Sequence, residues 1–270
     1  MSPDRGKFLE IASEAARCGG RVVLNSLGSI SEKDISIKQA SDFVTRVDRE
    51  SEQEIIAIIR SHFPDHSFLA EESERDLETE GYRWIIDPLD GTTNYIHGYP
   101  AFSISIALEY KREIRLGVIF DPLRNELFSA VEGKGAFLNG ERVWVSRLDN
   151  PGNALIATGF PFRRKEMTDR YLELFRSIFQ GVSDLRRAGS AALDLAYVAC
   201  GRCEGFFEIG LSPWDMAAGS ILVQEAGGIV TDFAGGPEFL STGNIVAGNH
   251  VLHGMLLNEV RKVFSPDINW

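Results

Sequence analysis

The chain has 270 residues, of which 44% are hydrophobic and 25% are charged, and its formal net charge is −11. This length suits one large domain or two modest ones, and the composition is that of a globular protein with a substantial core. The acidic balance disfavours an extended nucleic-acid-binding surface. No apolar run approaches the ~18–20 residues that a membrane helix needs, and the polar N-terminal residues do not form a secretory signal. We therefore expect a cytoplasmic protein without a membrane partner.

The three cysteines, Cys18, Cys200 and Cys203, are too few for a disulfide framework. Cys200 and Cys203 form a CxxC motif, but a structural zinc site would need a second pair of ligands. We interpret these two residues as reduced thiols near a helix end. The net negative charge would also repel an anionic substrate, so an enzyme that acts on one would need a bound cation.

Two amphipathic helices are predicted in the N-terminal part of the chain. Apolar residues recur at helical spacing over 7–24, with a weak point at Gly19-Gly20. The same spacing returns over 49–63, where isoleucines share one face and Pro64 ends the helix. The segment between the helices, IKQASDFVTRVD, is predicted to be a polar loop that leads to a short strand.

Four strands are predicted from residue 82 to residue 131. The segments YRWIID, FSISIALEY, IRLGVIFD and ELFSAV are rich in β-branched and aromatic residues, and turns such as Asp121-Pro122 separate them. The alternation of polar and apolar residues in SISIAL is typical of a largely antiparallel sheet with one face packed on helices.

Helices and strands alternate irregularly in the second half of the chain. Helices are predicted over 168–180 and 190–200, over PWDMAAGSILVQEAGG with its terminating glycine pair, and from about His250. Strands are predicted in NALIATGF, SDLRRAG, CEGFFEIG and NIVAGN. This order predicts an α+β fold, a layered sandwich of two sub-regions with a boundary near 140–155. No GxGxxG motif follows a strand, so dinucleotide binding has no support.

The segment WIIDPLDGTTNYIH carries the strongest chemical signal. A hydrophobic strand delivers Asp87, Pro88 is expected to end the ladder in a turn, and Asp90 follows. The two carboxylates, with the carbonyl of Leu89, offer the oxygen ligands that hard divalent cations prefer. The amides of Gly91-Thr92-Thr93 resemble the opening of a helix, which binds phosphate oxygens. The same string is also typical of an ordinary surface turn, in which Asp90 would merely cap a helix.

Three other acidic positions bear on that choice. Glu71 and its neighbour Glu72 follow a short apolar strand, and they are either metal ligands or the start of a solvated loop. Asp215 stands near a helix start, where it is either a ligand or an N-cap. Asp48 heads the second helix, where it is either a cap or the partner of a threonine hydroxyl.

Five motifs occur in order along nearly the whole chain: DFVTRVD, AEES, WIIDPLDGTTNYIH, GSAALDLAYVA and PWDMAAGSILVQEAGG. With them the chain resembles the inositol monophosphatase family, within the lithium-sensitive, Mg²⁺-dependent phosphatase superfamily. The stretches GFPF, GFFEIGLSPWD and TGNIVAGN are most similar to its bacterial branch. The resemblance implies a layered α-β-α-β-α sandwich of the inositol monophosphatase and fructose-1,6-bisphosphatase type. We expect one compact fold in two parts, an α+β region over 1–145 with most metal ligands and an α/β region over 146–270 with Asp215 and substrate contacts.

The resemblance also implies a role for each matching residue. The implied metal ligands are Glu71, Asp87, the Leu89 carbonyl, Asp90 and Asp215. Thr92 and Asp48 match the pair that polarises the attacking water, and Glu71 and Asp90 complete the catalytic set. The implied substrate-binding residues are Gly91 and Thr92 for the phosphate, with Gly189, Ser190, Ala191, Glu208 and Asp215 for the alcohol. Lys38 matches a lysine in a loop near the metals.

The activity implied by the resemblance is hydrolysis of inositol 1-phosphate by a metal-activated water. Two or three Mg²⁺ ions per subunit are expected, with Mn²⁺ as an alternative, and with sensitivity to lithium. Fructose 1,6-bisphosphate, histidinol phosphate and 3′-phosphoadenosine 5′-phosphate are alternative substrates of the same site. Glu208 favours a polyol, whereas Arg186 and Arg187 leave room for a second phosphate. Relatives are usually homodimers, and some bacterial relatives regulate RNA metabolism through protein partners, which is a second functional hypothesis.

Overall fold

The computed structural model describes residues 5–39, 42–73 and 81–264. Within these ranges the chain forms eight α-helices and fourteen β-strands. The helices are α1 (Arg5–Ser26), α2 (Arg46–His62), α3 (Thr92–Ile96), α4 (Thr168–Phe179), α5 (Ala191–Ala199), α6 (Pro213–Glu225), α7 (Phe239–Thr242) and α8 (His250–Val263). The strands are β1 (Ile35–Gln39), β2 (Asp42–Thr45), β3 (Ser67–Ala70), β4 (Tyr82–Asp90), β5 (Ser103–Tyr110), β6 (Glu113–Asp121), β7 (Glu126–Val131), β8 (Gly135–Leu138), β9 (Glu141–Val143), β10 (Leu155–Thr158), β11 (Asp184–Arg186), β12 (Gly205–Ile209), β13 (Ile229–Thr231) and β14 (Asn244–Gly248).

Two large sheets organise the fold. The first has seven strands in the order β3-β4-β5-β6-β7-β8-β9, and all neighbours are antiparallel except the parallel pair β3 and β4. The second has five strands in the order β11-β10-β12-β14-β13, in which β10 is parallel to both neighbours and β14 antiparallel to both. A small antiparallel pair, β1 and β2, precedes α2. Part of the predicted polar loop is therefore a strand.

Helices cover both faces of the seven-stranded sheet. Trp84 and Ile86 of β4 pack with α1 and α2, whereas Ile85 between them packs with α5 and α6. The prediction that only one face is packed on helices is therefore wrong. The serines that made β5 look half-exposed are buried, because their hydroxyls find partners inside: the Ser105 hydroxyl donates to the Trp214 carbonyl at 3.1 Å, and that of Ser103 pairs with another serine.

The five-stranded sheet is covered on both faces as well. Phe206 of β12 packs toward α5 and α6, and its neighbour Phe207 packs toward α4 and α8. Each large side chain that is buried in this way contributes about 1.5–3 kcal/mol to folding. The layers therefore run helix, sheet, helix, sheet, helix, and the predicted α-β-α-β-α sandwich is confirmed.

The Gly19-Gly20 pair does not weaken α1, which is continuous through it. A Cβ atom on Gly19 would lie 2.8 Å from the Cδ1 atom of Ile55 in α2, and one on Gly20 would lie 2.6 Å from the ring of Phe120 in β6. The glycines allow α1 to approach its neighbours closely, which compensates for their low helix propensity.

The central helix α6 approaches the seven-stranded sheet equally closely. A Cβ atom on Gly117 of β6 would lie 2.5 Å from the carbonyl oxygen of Ala218 in α6. A Cβ atom on Gly219 of α6 would lie 2.5 Å from the Leu195 side chain in α5. The small residues of the PWDMAAG segment therefore allow α6 to pack closely on both β6 and α5.

Candidate metal centre

Asp87 and Asp90 converge through a β-bulge in β4. Asp87 pairs with Ser105 of β5 and Asp90 with Ser103, so three steps along β4 match two along β5. Pro88 does not end the strand as predicted, because β4 resumes pairing at Asp90 after one extra residue, and such a bulge redirects the side chains around it. The amide of Leu89 donates to the Asp87 carboxylate at 2.9 Å, which fixes the bulge.

The second sub-region supports Asp90 from the other side. The hydroxyl of Ser190 donates to Asp90 Oδ2 at 2.5 Å, and the amide of Ala192 donates to the same oxygen at 2.8 Å. Ser190 is also the N-cap residue of α5. Its hydroxyl is thus directed at a predicted metal ligand, although the sequence suggested a substrate contact.

The remaining carboxylates come from a loop and from α6. Glu71 follows β3, and its amide donates to the carbonyl of Ile86 in β4 at 3.2 Å. Asp215 lies in the first turn of α6, where its Oδ2 atom accepts from the Ser212 amide at 2.7 Å. Asp215 is therefore both a helix cap and a site residue. Among the described residues, carboxylate oxygens of Asp87, Asp90 and Asp215 lie within 4.8 Å of one another.

The cluster is electrostatically strained. Burial raises the pKa of Asp87 well above its usual value, and repulsion from Glu71, Asp90 and Asp215 adds to the shift. Burial, followed by repulsion from Asp215, raises the pKa of Asp90 to about 7. Buried oxygen ligands that repel one another fit a hard divalent cation, which would remove the repulsion. Glu71 and the carbonyl-bearing Leu89 line the same cavity and complete a donor set of suitable chemistry.

Asp48 and Thr92 form the predicted pair behind this cluster. The Thr92 hydroxyl donates to Asp48 Oδ1 at 2.8 Å and also lies 3.1 Å from the Leu89 carbonyl oxygen. The amide and the hydroxyl of Thr45 both donate to Asp48 Oδ2, at 2.8 and 2.6 Å. Asp48 thus closes a capping box at the start of α2 and also holds a threonine hydroxyl. Burial raises its pKa.

The carboxylates open into a cavity of about 370 Å³ that residues of both large sheets line. The predicted residues that line it are Glu71, Asp87, Leu89, Asp90, Gly91, Thr92, Gly189, Ala191, Glu208 and Asp215. Asp48 and Ser190 lie behind this lining and reach it through Thr92 and Asp90. The predicted set is therefore assembled in one place from both sub-regions.

Glu208 forms the far wall of the cavity, and a glycine makes room for it. A Cβ atom on Gly159, directly after β10, would lie 2.0 Å from Glu208 Oε1, so the Glu208 carboxylate keeps this position only beside a glycine. Burial raises the pKa of Glu208 well above its usual value, and the nearby Asp194 carboxylate adds to the shift. Gly159 was not predicted from the sequence, because the contact joins the end of β10 to β12 across the sheet.

The loop that precedes α5 is tied to the β4 motif by Asn94. Its side-chain amide donates to the carbonyl oxygens of Ala101 at 2.7 Å and Ala188 at 2.9 Å. Gly189 next to this contact has φ +91°, and a Cβ atom there would lie 2.5 Å from the Arg187 guanidinium. Asn94 was not predicted from the sequence, although it belongs to the DGTTN string.

Two arginines also line the cavity, Arg163 and Arg187. Arg187 stacks over the ring of Phe160 at 5.3 Å. Arg186 instead pairs at the surface with Asp184 at 2.5 Å, so only one of the two arginines proposed for a second phosphate faces the cavity. Arg163 was missed, because the run Arg163-Arg164-Lys165 is typical of a solvated loop.

Cys200 and Cys203 are free thiols at the C-terminal end of α5. Burial raises the pKa of Cys203 to about 12, so this thiol stays protonated and is a poor metal ligand. The side chain of Lys38 lies outside the described residues, although its backbone belongs to β1.

The layered sandwich with its carboxylate-lined cavity is the fold and site of a metal-dependent protein family. The sequence matches the inositol monophosphatase family over residues 4–265, and the chain belongs to that family. The family is metal-dependent, and the acidic cluster of Asp87, Asp90 and Asp215 can bind a metal.

Relatives in this family carry two kinds of name. A curated relative from Pseudomonas aeruginosa, the Nus factor SuhB, is 48% identical over 266 residues, which cover 97% of this chain and 98% of that protein. The crystal structure of the extragenic suppressor protein SuhB from Bartonella henselae is 42% identical, with a TM-score of 0.91 and coverage of 95% of this chain and 99% of that one. The inositol monophosphatase from Anabaena is 43% identical, with a TM-score of 0.86 and coverage of 98% and 99%.

No helix of the described residues is long and apolar enough to span a bilayer.

Proposed function

We propose that this protein is a Mg²⁺-dependent phosphomonoesterase that hydrolyses inositol 1-phosphate to inositol and phosphate. One observation carries the proposal: the oxygens of Asp87, Asp90 and Asp215 lie within 4.8 Å of one another, in a cavity that also contains Thr92 and Glu208. Membership of the inositol monophosphatase family supports it. The ligand set would hold two ions, with a third, weaker ion as an additional possibility, and Mn²⁺ is the alternative metal.

In this proposal Glu71, Asp87 and the Leu89 carbonyl would hold one ion, and Asp87, Asp90 and Asp215 would hold the other. Bound divalent cations supply charge neutralisation and lower the pKa of coordinated water. The Thr92 hydroxyl donates a hydrogen bond to Asp48, so its oxygen is left to accept a hydrogen bond from the attacking water. Burial raises the pKa of Asp48, which makes its carboxylate a stronger base than an exposed one. Hydrolysis of this kind needs no covalent phosphoenzyme.

Different residues of the cavity would bind the phosphate and the alcohol of the substrate. The amides of Gly91 and Thr92 open α3 and would hold the phosphate. Glu208 would accept hydrogen bonds from two hydroxyl groups of a polyol ring, with Gly189 and Ala191 beside it. Fructose 1,6-bisphosphate, histidinol phosphate and 3′-phosphoadenosine 5′-phosphate remain alternative substrates, and Arg187 in the cavity wall favours those with a second anionic group.

The test is release of inorganic phosphate from these four substrates, with Mg²⁺, with Mn²⁺ and with a chelator. We expect Mg²⁺-dependent turnover that is concentrated on inositol 1-phosphate and reduced by lithium. The Asp90→Asn variant should lose several orders of magnitude in kcat, because a metal ligand loses its charge, while its circular dichroism stays that of the wild type. Wild-type turnover in this variant would refute the site, and turnover concentrated on another substrate would reassign the specificity.

A second role is favoured by the names of the relatives. The Pseudomonas aeruginosa relative, 48% identical over nearly the full length, is called a Nus factor. We infer that this chain also binds a protein partner in RNA metabolism, by a surface that does not need the reaction. Affinity capture with wild type and Asp90→Asn should then retain the same partner in equal amounts. Loss of the partner with Asp90→Asn would tie binding to the metal centre instead.

We also propose that the protein is a homodimer through the exposed apolar face of α4. Leu172 and Phe179 of α4 are each about half exposed, and Phe175 stacks on Phe179 with ring centroids 6.3 Å apart. Clustered apolar groups of this kind mark protein contacts. Light scattering should give the mass of two chains, and Leu172→Glu should shift it toward one chain. A monomeric wild type would refute the proposal.

A further inference from the structure

Arg163 is a cationic side chain that contacts the carboxylate cluster directly. Its guanidinium donates from Nη1 to Asp215 Oδ2 at 3.0 Å, and its Nη2 atom lies 3.8 Å from Glu71 Oε1. The side chain is only 22% exposed, and it stacks over the ring of Phe162 at 4.8 Å. The contact joins the segment after β10 to acids from the loop after β3 and from α6.

This contact differs from an ordinary surface ion pair. The neighbouring Arg164 pairs with Glu166 at 2.6 Å, but these side chains are 38% and 63% exposed, and ion pairs that solvent screens contribute little to stability. Arg163 instead meets carboxylates that are about nine-tenths or more buried and whose negative charges raise the pKa of the neighbouring Asp87. A fixed positive charge is therefore worth more at this position than at Arg164.

The same oxygens serve two kinds of cation. A guanidinium at Asp215 and Glu71 offsets part of the repulsion in the cluster, and a divalent cation bound there would offset the same repulsion. Two cations that share one set of anionic partners oppose each other's binding, and the opposition is reciprocal. Any part of the Arg163 stabilisation that is lost when the ion binds lowers the affinity for the ion by the same free energy.

We propose that Arg163 is an internal counter-ion of the metal centre. It neutralises Glu71 and Asp215 in the metal-free protein, and it sets the affinity for the divalent cation by competing for their charge. The inference rests on the proposed function only in that the carboxylate cluster is taken to be the metal site. It assigns to Arg163 a positioning and affinity-setting role, without a role in the hydrolysis itself.

The experiment measures Mg²⁺ binding to the chelator-treated, full-length protein by titration calorimetry. The variants are Arg163→Gln, which removes the charge, Arg163→Lys, which keeps it, and Arg164→Gln as the matched control from the surface pair. We expect the Kd for Mg²⁺ to fall by about tenfold in Arg163→Gln, because one opposing unit charge at about 3–4 Å is removed from a screened site. Arg163→Lys should lie between it and the wild type, and Arg164→Gln should match the wild type.

Melting curves give the second readout. In chelator, Arg163→Gln should melt roughly 2–4 °C below the wild type, because the cluster has lost its counter-ion. In saturating Mg²⁺ this difference should close or reverse. An equal drop under both conditions would show a merely structural arginine and overturn the inference.

The outcomes separate this inference from the proposed function. Unchanged or weaker Mg²⁺ binding in Arg163→Gln, with normal binding by the wild type, would overturn the role of Arg163 and leave the phosphatase proposal standing. No Mg²⁺ binding by the wild type would refute the metal centre, and the role of Arg163 would fall with it.

Discussion

The Gly159→Ala substitution should separate recognition of the alcohol from hydrolysis. Its Cβ atom would lie 2.0–2.2 Å from three atoms of the Glu208 carboxyl group, far inside van der Waals contact. The backbones on both sides are fixed, because Thr158 at the end of β10 pairs with Phe207 of β12. The carboxylate is the movable part, so Glu208 must swing away from the wall of the cavity.

The magnitude follows from the contacts that the carboxylate would make. A hydrogen bond to a charged group contributes about 1.5–3 kcal/mol. Loss of one such bond to a substrate hydroxyl therefore lowers kcat/KM for a polyol phosphate by roughly 10- to 150-fold, at about 1.4 kcal/mol for each factor of ten. We expect the fold to be retained, since a buried carboxylate with a raised pKa regains hydration when it moves outward.

The assay is phosphate release at saturating Mg²⁺, with inositol 1-phosphate and with phenyl phosphate, which has no ring hydroxyl groups. The loss in Gly159→Ala should be confined to the polyol substrate, and Glu208→Gln should show a loss of the same kind. Gly181→Ala is the matched control, because the nearest atom to its added Cβ is 3.6 Å away. Equal losses with both substrates, or no loss with either, would refute this account of Gly159 and Glu208.

Three further predictions test other parts of the structure. Thr92→Ala should lower kcat by about 10²–10⁴-fold, whereas Thr92→Ser keeps the hydroxyl and most of the rate; comparable rates of phosphate release in the two variants would contradict the assigned pair. Burial lowers the pKa of His253 to about 4, below its ordinary 6.5. The stabilisation from burying the neutral ring is therefore complete above pH 6.5, and about 3 kcal/mol of the free energy of unfolding is lost as the pH falls to 4. Urea unfolding across this range should show a shallower loss of stability in His253→Gln. Gly117→Ala should destabilise the protein by about 1–3 kcal/mol by overpacking against α6, whereas Gly254→Ala, whose added Cβ meets nothing within 4 Å, should be neutral or stabilising in denaturant titrations.

Local sequence signals predicted most of the architecture and the residues of the site. Helix α2 begins at a Thr45–Asp48 capping box and ends before Pro64, so both of its ends are encoded within a few residues. The segment around Asp87 and Asp90 likewise contains its own bulge, its own helix opening and its own oxygen ligands. A motif of this kind is readable because its chemistry lies within one short stretch of chain.

Errors arose where a local pattern has two tertiary outcomes. A proline after a strand fits a strand end or a bulge, and pairing with β5 decides for the bulge at Pro88. Alternating serines are typical of a solvated face or of a buried polar face. Ser105 is buried, because its hydroxyl donates to the Trp214 carbonyl. Gly159 and Arg163 could not be recognised at all, because each acts on residues about fifty or more positions away.

The division of the chain into 1–145 and 146–270 remains a prediction, but residues from both parts form the site. Asp90 of β4 is held by Ser190 before α5, and the carboxylate group is completed by Asp215, at the start of the helix that lies between the two sheets. Neither half alone contains the full set of ligands. During refolding, high-affinity metal capture should therefore be the last event to appear, after each sheet has formed and the two have docked. Metal binding would then report that the final step of folding is complete, and a chain that stops at an earlier step would be unable to bind the ion tightly.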